Sequence, residues 1–120
     1  MDLKDLEIYK ISRNVSTMAW EIYEKMDWQI RKVLGDQWIT SIDSIGANIA
    51  EGFGRYHYLD KNRFNYNARG SLLEAIYWTE LLKERDKMTA AQFKSFISEF
   101  DALCPKLNSY IKSTKNQASK

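Results

Sequence analysis

The sequence predicts an all-α domain, an antiparallel up-and-down four-helix bundle, on three observations. Apolar residues recur at three- and four-residue steps through four successive segments. The 120 residues hold one proline and five glycines, so little interrupts stretches rich in Ala, Leu, Ile, Glu and Lys. The segments are joined by short connections, which force neighbours to run antiparallel. Helices of about 25 residues would each be roughly 37 Å long at about 1.5 Å per residue.

The first helix is expected from about Leu6 to Met26, because Ile8, Ile11, Val15, Met18 and Ile22 share one stripe while most charges fall outside it. A second runs from about Ile30 to Phe53, with Leu34, Trp38, Ile42, Ile45 and Ile49 as its apolar face. Residues 54–60 read as the connection, with Gly54 ending one helix in a left-handed conformation and Asp60 capping the next. The third helix covers about Lys61 to Lys87, its stripe being Phe64, Ala68, Leu72, Ala75, Trp78 and Leu82. Thr89 is the expected N-cap of the fourth, whose seam of Phe93, Phe96, Ile97, Phe100, Leu103, Leu107, Tyr110 and Ile111 contains Pro105, a predicted kink. Residues 1–112 therefore form the bundle, and 113–120, which lack apolar periodicity, are expected to be a disordered polar tail.

Composition narrows the function classes. At 14.1 kDa, with 44% hydrophobic and 28% charged residues, the chain suits one globular domain with an ordinary core. No apolar run approaches the roughly 20 residues of a membrane span. The opening Met1-Asp2-Leu3-Lys4-Asp5 lacks the basic-then-apolar order of a signal segment, so no membrane partner and a cytoplasmic location are expected. Cys104 is the single cysteine and is expected to be a small buried apolar residue. A net charge of +2 is mild, but it divides unevenly: residues 1–60 carry −3 and residues 61–120 carry +5. An anionic partner would prefer the second half.

Catalytic chemistry finds little to build on. His57 is the only histidine, and a carboxylate di-iron bundle needs two Glu-x-x-His pairs, of which there are none. No Ser or Cys has an activating context, and no phosphate-cradling glycine loop or zinc spacing occurs. The expectation is a protein without enzyme activity, metal or cofactor.

Two polar stretches remain. Small and polar residues interrupt the second and third helices at 44–52 and 68–74. A hairpin across 54–60 sets position 48 opposite about 68, bringing Asn48 and Glu51 within reach of Asn65, Arg69 and Ser71. These five are expected to form a structural polar cluster that fixes helix register. Removing one partner of a buried Glu51–Arg69 pair would cost about 3–5 kcal/mol. The second stretch is Arg55-Tyr56-His57-Tyr58, continued by Lys61 and Arg63, where aromatics alternate with positive charge. Tyrosines stack on unpaired bases and Arg and Lys meet phosphates, so these six residues are the candidate nucleic-acid site. The alternative is a solvated loop whose tyrosines pack on the bundle end. Trp20, Tyr23, Trp28, Tyr66 and Tyr77 fall partly off the principal stripes, where aromatics commonly serve interfaces.

The segments Asn48-Ile49-Ala50-Glu51-Gly52 and Ala68-Arg69-Gly70-Ser71, with Asp5-Leu6, Tyr9 and Gln37, resemble the signatures of the four-helix-bundle proteins of 23S ribosomal RNA intervening sequences. The likeness spans roughly residues 3 to 112. It implies a ring-like homopentamer with no established enzymatic activity. A related branch serves diversity-generating retroelements as an accessory protein that binds nucleic acid and a reverse transcriptase. Gly46 stands where a proline is common in that family, and Ile39 and Thr40 where it often has a basic pair, whose loss weakens the implied nucleic-acid binding.

Two functions follow as expectations. One is a non-catalytic homo-oligomeric scaffold, a pentamer by resemblance, that binds RNA, DNA or a nucleic-acid enzyme such as a reverse transcriptase. The other is a protein–protein assembly module with no affinity for nucleic acid.

Overall fold

The computed structural model describes residues 1–119. A 3-10 turn, Leu3–Asp5, leads into α1 (Glu7–Tyr23). The second rod, α2, begins as Trp28–Ile30, passes through a π turn at Arg31–Gly35 and continues as Asp36–Phe53. Helix α3 is Tyr58–Glu84 and α4 is Ala90–Ala118. Each helix packs on its neighbour in sequence, and α1 closes the square on α4. The result is an up-and-down bundle measuring 50 × 23 × 22 Å, with no strand among the described residues.

The apolar stripes account for the core. Leu34, Trp38, Ile42, Ile45 and Ile49 of α2 are all buried, as are Ala68, Leu72, Ala75 and Leu82 of α3 and Phe96, Phe100, Leu103, Leu107 and Ile111 of α4. Helix α1 contributes Ile8, Val15 and Ala19, with Ile11, Met18 and Ile22 packed at the margin. Trp38 meets the edge of Phe96 at 5.5 Å between centroids, an arrangement favoured by the aromatic quadrupole. Cys104 is half-buried beside this core rather than fully enclosed.

The junctions differ from the sequence reading in three places. Gly54 caps α2 at φ −79°, a right-handed conformation that any residue adopts. Asp60 is the third residue of α3 rather than its cap; His57 holds the cap position in an extended conformation and supplies no side-chain hydrogen bond. The polar segment expected to be disordered from 113 is helical to Ala118, with Thr114 buried and its hydroxyl bonded to the Tyr110 carbonyl. Lys120 lies outside the described residues. Pro105 stays within continuous helix because it sits on the exposed face, where water can satisfy the Asp101 carbonyl it leaves without an N–H donor.

Thr89 caps α4 as expected, accepting from the Gln92 amide at 3.0 Å while the Gln92 side chain accepts from the Thr89 amide at 2.9 Å. The α3–α4 reversal uses Asp86 at φ 58°. Lys87 N–H reaches the Leu82 carbonyl at 2.8 Å and Asp86 N–H reaches Lys83 at 3.1 Å, the paired bonds of a Schellman ending.

Candidate nucleic-acid interface

The 54–57 connection, the start of α3 and the end of α4 lie at one end of the bundle. Their alignment is fixed by Asn62, whose amide donates to the Ile111 carbonyl at 3.0 Å and accepts from Asn65 at 3.0 Å. One further helical turn along α4 brings Lys115 to the level of Tyr58. Lys112 and Lys115 thus join this end; the sequence reading assigns Lys112 no role and leaves out Lys115 because it takes residues beyond 112 as unstructured. Continuous helix to Ala118 is the signal that places them.

Two tyrosines project here. Tyr56 is 89% exposed and stands clear of the bundle end, whereas Tyr58 is 43% exposed and more than half covered. Tyr56 touches the edge of His57, with centroids 5.0 Å apart and planes at 89°. The three expected cations, in contrast, are bound in place. Arg55 donates to Glu51 at 2.7 Å, approaches Asp60 at 3.7 Å and lies over the Phe64 ring at 4.7 Å. Arg63 donates to Asp60 at 2.9 Å and covers the same ring at 4.8 Å. Lys61 donates to the Phe53 carbonyl at 2.9 Å and lies over that ring at 5.7 Å. The cations roof two aromatic rings, and Glu51 and Asp60 offset part of their charge. Guanidinium groups held this way still present free N–H donors to solvent, since each carries five.

The five-residue polar cluster is divided. Asn48 donates to the Ser44 carbonyl at 2.8 Å and to its hydroxyl at 3.0 Å, and Ser71 donates to the same hydroxyl at 2.9 Å. Asn48 and Ser71 are therefore linked through Ser44, a residue given no role from sequence. Asn65 belongs instead to the Asn62 pair, and its own carbonyl oxygen is buried without a partner. It faces Gly52, where an added Cβ would lie 3.0 Å from the Lys61 carbonyl and from Phe64 Cβ, so glycine is what allows α2 and α3 to approach there. The expected Glu51–Arg69 pair does not form. Glu51 points to solvent and Arg55, while Arg69 donates to Asn108 at 3.2 Å and lies over Tyr66 at 4.9 Å.

Two phenols titrate above their ordinary value. Tyr23 is raised chiefly because it donates a hydrogen bond to Asp36, with burial and the Asp36 charge adding to this and Arg31 opposing it. Burial alone raises Tyr110. Among the described residues no three potential metal ligands cluster, and no helix is long and apolar enough to cross a membrane.

No curated protein matches the chain. Its fold is similar to the crystal structure of a protein of unknown function from the S23 ribosomal protein family of Bacteroides thetaiotaomicron, with a TM-score of 0.78 and 24% identity over 88% of this chain and 98% of that one. The family model described as 23S rRNA-intervening sequence protein matches residues 4–109, nearly the whole bundle. The chain therefore belongs to the 23S rRNA-intervening sequence protein family.

Proposed function

We propose that this protein is a non-catalytic, self-associating scaffold, a pentameric ring by family resemblance, that binds single-stranded nucleic acid, alone or held by a nucleic-acid enzyme, through the Tyr56 end of the bundle. The observation that carries this reading is the pairing of freely exposed Tyr56 and partly exposed Tyr58 with pre-positioned Arg55, Lys61 and Arg63. A base stacks on an exposed phenol at little ordering cost, and fixed cations meet its phosphates. Ring assembly multiplies a weak patch into several copies, which raises avidity without new contacts.

The offsetting carboxylates of Glu51 and Asp60 favour a second reading, a protein assembly module with no nucleic-acid affinity. Binding of a labelled oligonucleotide across a salt series separates the two. The nucleic-acid reading expects modest, sequence-tolerant affinity that falls steeply from low to physiological salt. Tyr56→Ala tests the site cleanly, because that side chain braces nothing in the core, whereas the three cations cover Phe53 and Phe64. It should weaken binding by about 1–3 kcal/mol, the usual worth of one stacked base. Absence of binding at low salt would leave the protein-only module, and undiminished binding by Tyr56→Ala would move the site elsewhere.

A further inference from the structure

The positive charge of the second half is gathered at one end of the α3–α4 pair. Between Asp60 and Glu74, and again after Asp101, the sequence has no carboxylate. The hydrogen bond from Asn62 to the Ile111 carbonyl sets these two acid-free stretches side by side. Neither helix offers an anion to the surface they share.

The cations near this surface differ in what already holds them. Arg55 and Arg63 are paired with Glu51 and Asp60, and Lys106 turns to the opposite side of α4 to meet Glu7 of α1 at 3.5 Å. Arg69, Lys112 and Lys115 have no carboxylate in salt-bridge range among the described residues. A phosphate meets these three without displacing an anion from the protein.

Spacing sets the three along one edge. Arg69 donates to Asn108 at 3.2 Å, and Lys112 and Lys115 follow Asn108 at steps of four and three, on the same side of α4. Two partly exposed tyrosines border that edge from α3. Tyr58 precedes Asn62 by one turn, and Tyr66 lies under the Arg69 guanidinium at 4.9 Å. They are 43% and 46% exposed and about 12 Å apart along the axis at about 1.5 Å per residue. Lys115 stands at the level of Tyr58, and Lys112 between the two rings. Tyrosine rings and guanidinium planes are the surfaces on which unpaired bases stack.

We propose that a single strand bound at the Tyr56 end continues along the α3–α4 edge, with bases against Tyr58 and the Tyr66–Arg69 stack and phosphates on Lys112 and Lys115. This path deepens the nucleic-acid reading and rests on it. It assigns the main electrostatic contribution to α4 rather than to the loop, whose cations are partly offset by Glu51 and Asp60.

Anisotropy of labelled oligothymidylate across a salt series tests the path, with far-ultraviolet circular dichroism as the folding control. Lys112→Gln with Lys115→Gln places good helix formers at exposed positions, so helicity should be unchanged. The pair should weaken binding roughly tenfold at low salt and flatten the plot of log K against log salt by about 1.4, at about 0.7 for each lost phosphate contact. Lys94→Gln with Lys106→Gln removes the same charge elsewhere on α4 and should leave affinity and slope nearly as they were. Equal losses from the two pairs would reduce the effect to net charge and overturn the path. Undiminished binding by Lys112→Gln/Lys115→Gln would also overturn it, and if Tyr56→Ala still weakens binding, the Tyr56 end stands alone. The converse, loss with the lysine pair and indifference to Tyr56→Ala, supports the α3–α4 path and removes the Tyr56 end. Absence of wild-type binding at low salt overturns both.

Discussion

Trp38 donates its indole N–H to the Thr79 hydroxyl at 2.9 Å, and both residues are wholly buried between α2 and α3. The same hydroxyl donates to the Ala75 carbonyl at 2.7 Å, so every polar atom of the pair is used. Thr79→Val keeps the volume but strands the indole N–H. It should cost about 1–3 kcal/mol in chemical denaturation, whereas Thr79→Ser should recover much of the loss. Equal stability of the valine variant and the wild type would show that the bond contributes nothing.

Glu51 is half exposed and bonded to Arg55 one turn along the same helix. Glu51→Ala should therefore shift stability by no more than about 0.5 kcal/mol, the scale of an exposed pair at that spacing. A calorimetric melt can decide. A loss of several kcal/mol would indicate a buried partner that the structure does not show.

The polar segments illustrate what sequence could and could not disclose. Position 48 does lie opposite 68: Ser44 meets Ser71, Trp38 meets Thr79 and Gly52 meets Asn65, all in that register. Rotation about the helix axis is what the hairpin register leaves open. Three residues past Asn48, Glu51 has already turned outward, and Arg69 faces α4. The Leu34–Ile49 stripe was legible because repeated apolar residues average out such errors, and Thr89 because a capping box is a local pattern. A single charged side chain offers no average. The same limit hid the loop, where nothing in the residue types reveals that Asp60 would face both Arg55 and Arg63. The low local periodicity after Ile111 likewise concealed a helix sustained by Thr114 and its neighbours.

The hydrogen bond from Tyr23 to Asp36 should leave a signature at alkaline pH. A phenol whose folded-state pKa is raised contributes stability that is fully present below its unfolded value of 10.0 and is lost as pH rises through the folded value. Comparing wild type with Tyr23→Phe in urea at neutral pH and above pH 10.0 isolates this residue from everything the two proteins share. The stability difference between the two should shrink as pH rises. A constant difference across that range would mean the bond does not couple to folding.

The π turn in α2 bears on how the gene can change length. Across Arg31–Gly35 the chain makes a wider loop, with Asp36 N–H bonded to the Arg31 carbonyl five residues back. Such a turn holds one residue more than a regular helix of the same rise. Loss of a single codon there would return the segment to ordinary α spacing while Trp28 on one side and Trp38 on the other kept their directions. The turn thus takes up one residue of length between exposed Trp28 and the buried Trp38 stripe, and losing that residue would disturb neither the outer surface nor the bundle.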